Sequence, residues 1–294
     1  MSVKNILRTI RNFLKNLYFL CFLNGLLLTS LLYFSSESKY ETQLFAIIAH
    51  KIRNELPPGY TKNDFVIRAM QTVYELQSKR YLVFANESLD GIKANIFHPS
   101  TVDLMTGNGA CGSYAIVLAR ILKSNDMPVK IGQMKVNGVY GGHMFIETKT
   151  EDGWVVLDPT YNLAFKKADG SLSSISELNK NWEQYKKQLP ADYPVEYNYE
   201  GVRYTNWNKI PGVTTTIKSV LNVVIGKEKA DSISIRPYLL RVYNKLAWFT
   251  FLVWLIIALY TFKTFRKKYK SKSIAVNVIM KEHNDAGSQL SPAI

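Results

Sequence analysis

Cys111, His143 and Asp158 are of the types that acyl transfer through a thiol needs: a nucleophile, a proton carrier and an anion to orient it. Cys111 follows Gly107-Asn108-Gly109-Ala110 and opens an apolar-periodic stretch that runs to Ser124, which predicts a helix with the cysteine at its start. A helix start favours the thiolate through its dipole, and its free N–H groups can hold an oxyanion beside the sulfur. Taken alone, Cys111 reads as a small buried hydrophobe; its position behind two glycines at a helix start is what favours a nucleophile. The other cysteine, Cys21, lies inside an apolar run, so Cys111 has no disulfide partner near it.

The imidazole and the carboxylate come from a strand pattern. A strand from Val129 to Val136, an Asn137-Gly138 turn, a strand from His143, an Asp152-Gly153 turn and a strand from Trp154 to Asp158 predict an antiparallel meander. In the simplest register His143 faces Asp158 directly, with Cβ atoms about 4.5–5.5 Å apart. A slip of two residues leaves them diagonal on one face, whereas a one-residue bulge separates them onto opposite faces. His50 and His98 lack a strand-borne carboxylate nearby, and His283 belongs to the C-terminal tail. Singly, His143 fits a core histidine and Asp158 a turn acid before Pro159; with Cys111 they read as a site.

Helical spacing over residues 43–56 ends at Pro57-Pro58-Gly59, and Asn63-Asp64 is placed to cap a second helix through residue 80. Helices followed by an antiparallel meander make the class α+β. Asn108 is a side-chain oxyanion candidate by proximity alone. Gly142, with Gly141, either lets substrate backbone pass beside His143 or makes a plain loop-to-strand turn. Trp154 either walls the site or packs in the core. The aromatics from Trp182 to Trp207 either line a groove for peptide or glycan, or belong to an arm packed across the core.

The chain has 294 residues and a formal net charge of +14. Leu17–Phe34 and Leu246–Phe262 are uncharged apolar runs, long enough at about 1.5 Å per residue to approach a bilayer's thickness. Lys4, Arg8, Arg11 and Lys15 precede the first run; seven basic residues, from Lys263 to Lys281, follow the second against Glu282 and Asp285. These flanks hold nine of the fourteen net charges, so the basic balance reads as membrane topology and makes no case for nucleic acid. The positive-inside rule then puts 1–16 and 263–294 in the cytoplasm and 35–245 outside. The first run lacks a clean small-residue cleavage site and reads as an uncleaved anchor rather than a signal peptide. Asn86-Glu87-Ser88 matches a glycosylation sequon. No phosphate loop, His-x-x-x-His metal site or paired-carboxylate motif is present, and neither a metal nor an organic cofactor is implied.

Gly109-Ala110-Cys111-Gly112, then Gly141-Gly142-His143-Met144-Phe145-Ile146-Glu147, then Gly153-Trp154-Val155-Val156-Leu157-Asp158-Pro159-Thr160, in that order, resemble the transglutaminase-like superfamily. The signature covers residues 107–162, about a fifth of the chain. The resemblance implies a papain-like α+β core, over about 43–165, with Cys111 as nucleophile, His143 as base and acid, and Asp158 as orienter; the aromatic-rich composition marks 166–245 as an arm beyond it. The superfamily includes cross-linking transferases, peptidases, amidases and members that have lost activity. The expected function is a membrane-anchored thiol enzyme acting outside the bilayer on a protein, peptide or glycopeptide amide. Hydrolysis is favoured slightly over transfer to an amine, because it needs no second substrate site and no calcium loop is visible. The alternative is a non-catalytic module that binds envelope protein or polysaccharide, with its helices docking an assembly partner. A transporter is disfavoured by two short spans without internal charge.

Overall fold

A computed structural model of the chain describes residue 5 and residues 13–84, 87, 89–207 and 213–288; Asn86 and Ser88 of the sequon lie outside them. The chain divides into two compact units, Ser38–Tyr243 on one hand and Met1–Glu37 with Asn244–Ile294 on the other.

Helix α1 (Leu17–Glu55) is continuous, where the apolar run and the amphipathic stretch were expected as separate elements. Residues 35–42 contain neither glycine nor proline, so nothing in them stops a helix already nucleated on either side. Its last turns bury Phe45, Ala49 and Ile52, one face at helical spacing. Helix α2 (Lys62–Phe84) is capped by Thr61 together with Asp64, one of the two residues expected to cap it. Thr61 N and Oγ1 each donate to Asp64 Oδ2 at 2.8 Å, and Asp64 N donates back to Thr61 Oγ1 at 3.2 Å, a reciprocal cap. A π-helical turn, Lys93–Phe97, and the short α3 (Ser100–Thr106) lead to α4 (Cys111–Ser124).

Strands β1 (Val129–Val136), β2 (Val139–Thr150), β3 (Gly153–Asp158), β4 (Leu163–Ala164) and β5 (Val202–Arg203) form one antiparallel sheet in the order β4-β3-β2-β1-β5. The fold is α+β. Strand alternation gives the sheet two different faces. Ile131, Ile146, Val155 and Leu157 point to the helices and pack with Leu118 and Leu122 of α4, with α2 and with the end of α1. Each such side chain removed from water is worth about 1.5–3 kcal/mol. On this side Arg120 is buried 3.6 Å from Glu41 and lies over Phe45. Met134, Phe145 and Val156 point the other way, into a second core.

That second core is the aromatic-rich arm. Helix α5 (Ile175–Tyr185) contributes Leu178, Trp182 and Tyr185, and Tyr193 and Tyr199 follow it down onto the sheet. Of the two roles open to these aromatics, packing across the core holds for Trp182, Tyr185, Tyr193, Tyr199 and Trp207, all buried. Helices α6 (Val213–Ile225), α7 (Lys227–Asp231) and α8 (Arg236–Leu239) precede α9 (Val242–Ser288). α1 and α9 are the two helices, among the described residues, long and apolar enough to cross a membrane. Within the terminal unit Asn24 Nδ2 donates to Thr261 Oγ1 at 2.9 Å, pairing polar groups that lipid could not satisfy.

Candidate active site

Cys111 is the first residue of α4, half-buried, where a helix has N–H groups without intrahelical acceptors. The residue before it, Ala110, has φ 45° and ψ −128°, a left-handed conformation that residues with a Cβ seldom adopt. Strain of this kind costs about 1–3 kcal/mol and persists only where surrounding contacts enforce it. The enforcing contacts are visible. Ser113 Oγ accepts from Gly109 N at 2.9 Å and donates to the buried Asp103 Oδ1 at 2.8 Å, tying the loop before the cysteine to the turn after it. Asp103 also faces His98 Nε2 at 3.4 Å; the Asp103 hydrogen bond leads in raising that imidazole to about 9.

His143 and Asp158 are fully buried, on the face of the sheet covered by the aromatic arm. The β2–β3 register pairs Ile146 with Leu157 and Thr150 with Gly153, two residues off the simplest register. Phe145, and not His143, therefore lies opposite Asp158, and His143 is its diagonal neighbour on the same face. The diagonal suits a carboxylate reaching for a ring: His143 Nε2 and Asp158 Oδ2 are 2.7 Å apart. With Nε2 engaged, Nδ1 is the nitrogen left for the Cys111 thiol, the imidazole's other hydrogen-bonding neighbour. Burial works against charge on the ring, but Asp158 and then Cys111 outweigh it and raise His143 to about 9. At neutral pH the imidazole is therefore an imidazolium.

Asp158 has further donors that local sequence signals did not reveal. Tyr193 and Tyr199 hydroxyls donate to Oδ2 at 3.4 and 3.3 Å, and Thr160 N donates to Oδ1 at 3.2 Å. Burial, and after it the Asp158 charge, push both tyrosines well above their ordinary range, so they stay protonated donors. Tyr197 stacks on the His143 ring with centroids 4.5 Å apart and planes at 19°, half-exposed where the buried tyrosines are not. The arm thus serves both as core and as one wall of the site.

The other residues singled out from the sequence fall in different places. Asn108 Nδ2 donates to Glu87 O at 2.6 Å, an exposed contact that engages the amide nitrogen. Trp154 stands four residues along β3 from Asp158, roughly 13 Å at ~3.3 Å per residue, under Lys130 Nζ. It does not wall the site. Gly141 and Gly142 form a bulge: Met134 pairs with His143, but the next β1 residue, Lys135, pairs with Tyr140. Gly141 has φ 103°, and a Cβ on Gly142 would stand 2.6 Å from Val136 Cβ, so the pair serves close packing that aims His143. No cluster of three His, Cys, Asp or Glu side chains fit to hold a metal occurs among the described residues. No family model, no curated protein and no solved structure matches the chain.

Proposed function

We propose that the protein is a membrane-anchored thiol hydrolase of the transglutaminase-like type, cleaving an amide bond of a protein, peptide or glycopeptide outside the cytoplasm. The observation that carries this is the buried His143–Asp158 pair whose remaining ring nitrogen is left to a cysteine at a helix start. Cys111 Sγ attacks the carbonyl carbon, the C–S bond forms and the carbonyl electron pair moves to oxygen, held by the Cys111 N–H at the start of α4; the Gly112 and Tyr114 N–H groups already donate to Gly109 O and Ala110 O. As the C–N bond breaks, His143 Nδ1 gives its proton to the leaving amine. Water then attacks the thioester while His143 takes a proton from it, and the acid leaves with the thiolate restored. Asp158 keeps the ring oriented and charged, and its three other donors hold the carboxylate in place. An amine in place of water would make the same chemistry a cross-linking transfer.

The basic flanks support a topology with both termini in the cytoplasm and residues 35–245 outside. Protease added to intact cells should degrade the central region and spare terminal tags; cleaved tags with an intact centre would reverse the orientation. A thiol-directed acyl probe applied to the membrane-embedded protein tests the chemistry. Covalent labelling at Cys111, lost in His143→Ala, is the expected result. Labelling that is indifferent to His143 would favour the non-catalytic binding module.

A further inference from the structure

Two arginines that the hydrolytic steps do not use contact Gln133 and Met144, on the helix-facing side of the sheet. Arg203, in β5, donates from Nη2 to Gln133 Oε1 at 3.1 Å, lies over the Tyr140 ring at 4.6 Å, and has a buried Nε without a partner. Arg236 opens α8, and its Nη1 rests 2.8 Å from Met144 Sδ, a weak acceptor for a full positive charge. Among the described residues neither guanidinium makes an ion pair with a carboxylate.

Sheet register brings them together. Gln133 of β1 pairs with Arg203 on one side and Met144 on the other, so all three side chains share a face. Met144 in turn meets the residue after the nucleophile, since a Cβ on Gly112 would lie 3.8 Å from its Sδ. Burial, and then the neighbouring Arg203, press Arg236 below the ordinary arginine range, while the charge of Cys111 acts in the opposite sense. A cavity of about 360 Å³ that neither Arg236 nor Cys111 lines opens beside Arg203, and the acid in it, Asp231, is held by Lys218 at 2.8 Å and so is not a partner for Arg203. Bringing two cations together in a partly desolvated place opposes folding unless an anion joins them. A guanidinium fork matches a planar carboxylate, which can accept two N–H groups at once.

From these contacts we propose that Arg203 and Arg236 form a carboxylate-binding subsite next to Cys111, which makes the acyl donor an acidic amide with a carboxylate close to the scissile carbonyl. The proposal rests on Cys111 being the nucleophile, and alkylation kinetics separate the two ideas. Full-length protein carrying Cys21→Ser is treated with iodoacetate, which is anionic, and with neutral iodoacetamide. The iodoacetate-to-iodoacetamide rate ratio at Cys111 should exceed that of free cysteine by about tenfold, equivalent to about 1.4 kcal/mol. Arg236→Gln and Arg203→Gln should each lower the ratio, and the double variant should bring it near the free value. Arg236→Lys, which keeps the charge, should retain most of it, and Lys149→Gln, an equal charge change at the far end of the hairpin, should leave it unaltered. An unchanged iodoacetamide rate shows that a variant is folded at the site. A wild-type ratio equal to that of free cysteine, or one indifferent to both arginines, overturns the subsite and leaves the nucleophile standing. Failure of both reagents to label Cys111 overturns the thiol enzyme, and the subsite with it.

Discussion

Asp158 lies diagonally across the β2–β3 hairpin from His143, and the two side chains close to 2.7 Å inside the sheet's aromatic-covered face. The diagonal brings the carboxylate to Nε2 and leaves Nδ1 to Cys111.

The His143 charge carries a pH signature. Its imidazole is raised from 6.5 to about 9, so in that interval the folded protein holds a proton that the unfolded chain releases. This contribution to stability is complete below about 6.5 and is lost as pH rises through about 9. The melting temperature of the wild type should fall across that window. Asp158→Asn, which removes the carboxylate, should flatten the fall; an equally steep profile in that variant would assign the proton elsewhere.

Tyr193 and Tyr199 share one acceptor oxygen and lie 3.3 Å from each other. Tyr193→Phe and Tyr199→Phe should each cost about 1 kcal/mol by denaturant unfolding. The double variant should depart from the sum of the singles, because the hydroxyls are coupled. Strict additivity would mean that the two hydroxyls act independently of each other.

Gly142→Ala puts a Cβ 2.6 Å from Val136 Cβ, in a bulge that aims His143. A destabilisation of about 1–3 kcal/mol is expected, as for overpacking elsewhere. Val136→Ala in the same molecule removes the atoms that clash and should recover most of the melting temperature. No recovery would locate the damage in the backbone and not in the contact.

Ser113→Ala removes the group that joins Gly109 N to Asp103 Oδ1. It leaves a donor and a buried carboxylate oxygen without that partner, a loss of about 1–3 kcal/mol. With the loop released, Ala110 no longer has to hold φ 45°, and Cys111 alkylation should slow more than global stability falls. Loss of stability with an unchanged alkylation rate would restrict Ser113 to a structural part.

Local chemistry made the elements legible. The apolar period after Cys111 marks α4, Asn137-Gly138 and Asp152-Gly153 mark the turns of the meander, and two uncharged runs mark the long helices. These signals act over one or two turns of chain, which is why they survive in a bare sequence. Register did not survive in that way: patterns of period two restrict His143 and Asp158 to one face but permit slips of two residues, and packing chose the diagonal. Trp154, close to Asp158 in sequence, is carried to the other end of its strand, while Tyr193 and Tyr199, 35 and 41 residues away, reach the carboxylate. The placing of Arg236 against Met144, 92 residues away, likewise has no local trace. Contacts of that range exist only once the arm and the helices have closed on opposite faces of the sheet, because their stabilisation comes from burial and not from the residues' own backbone preferences.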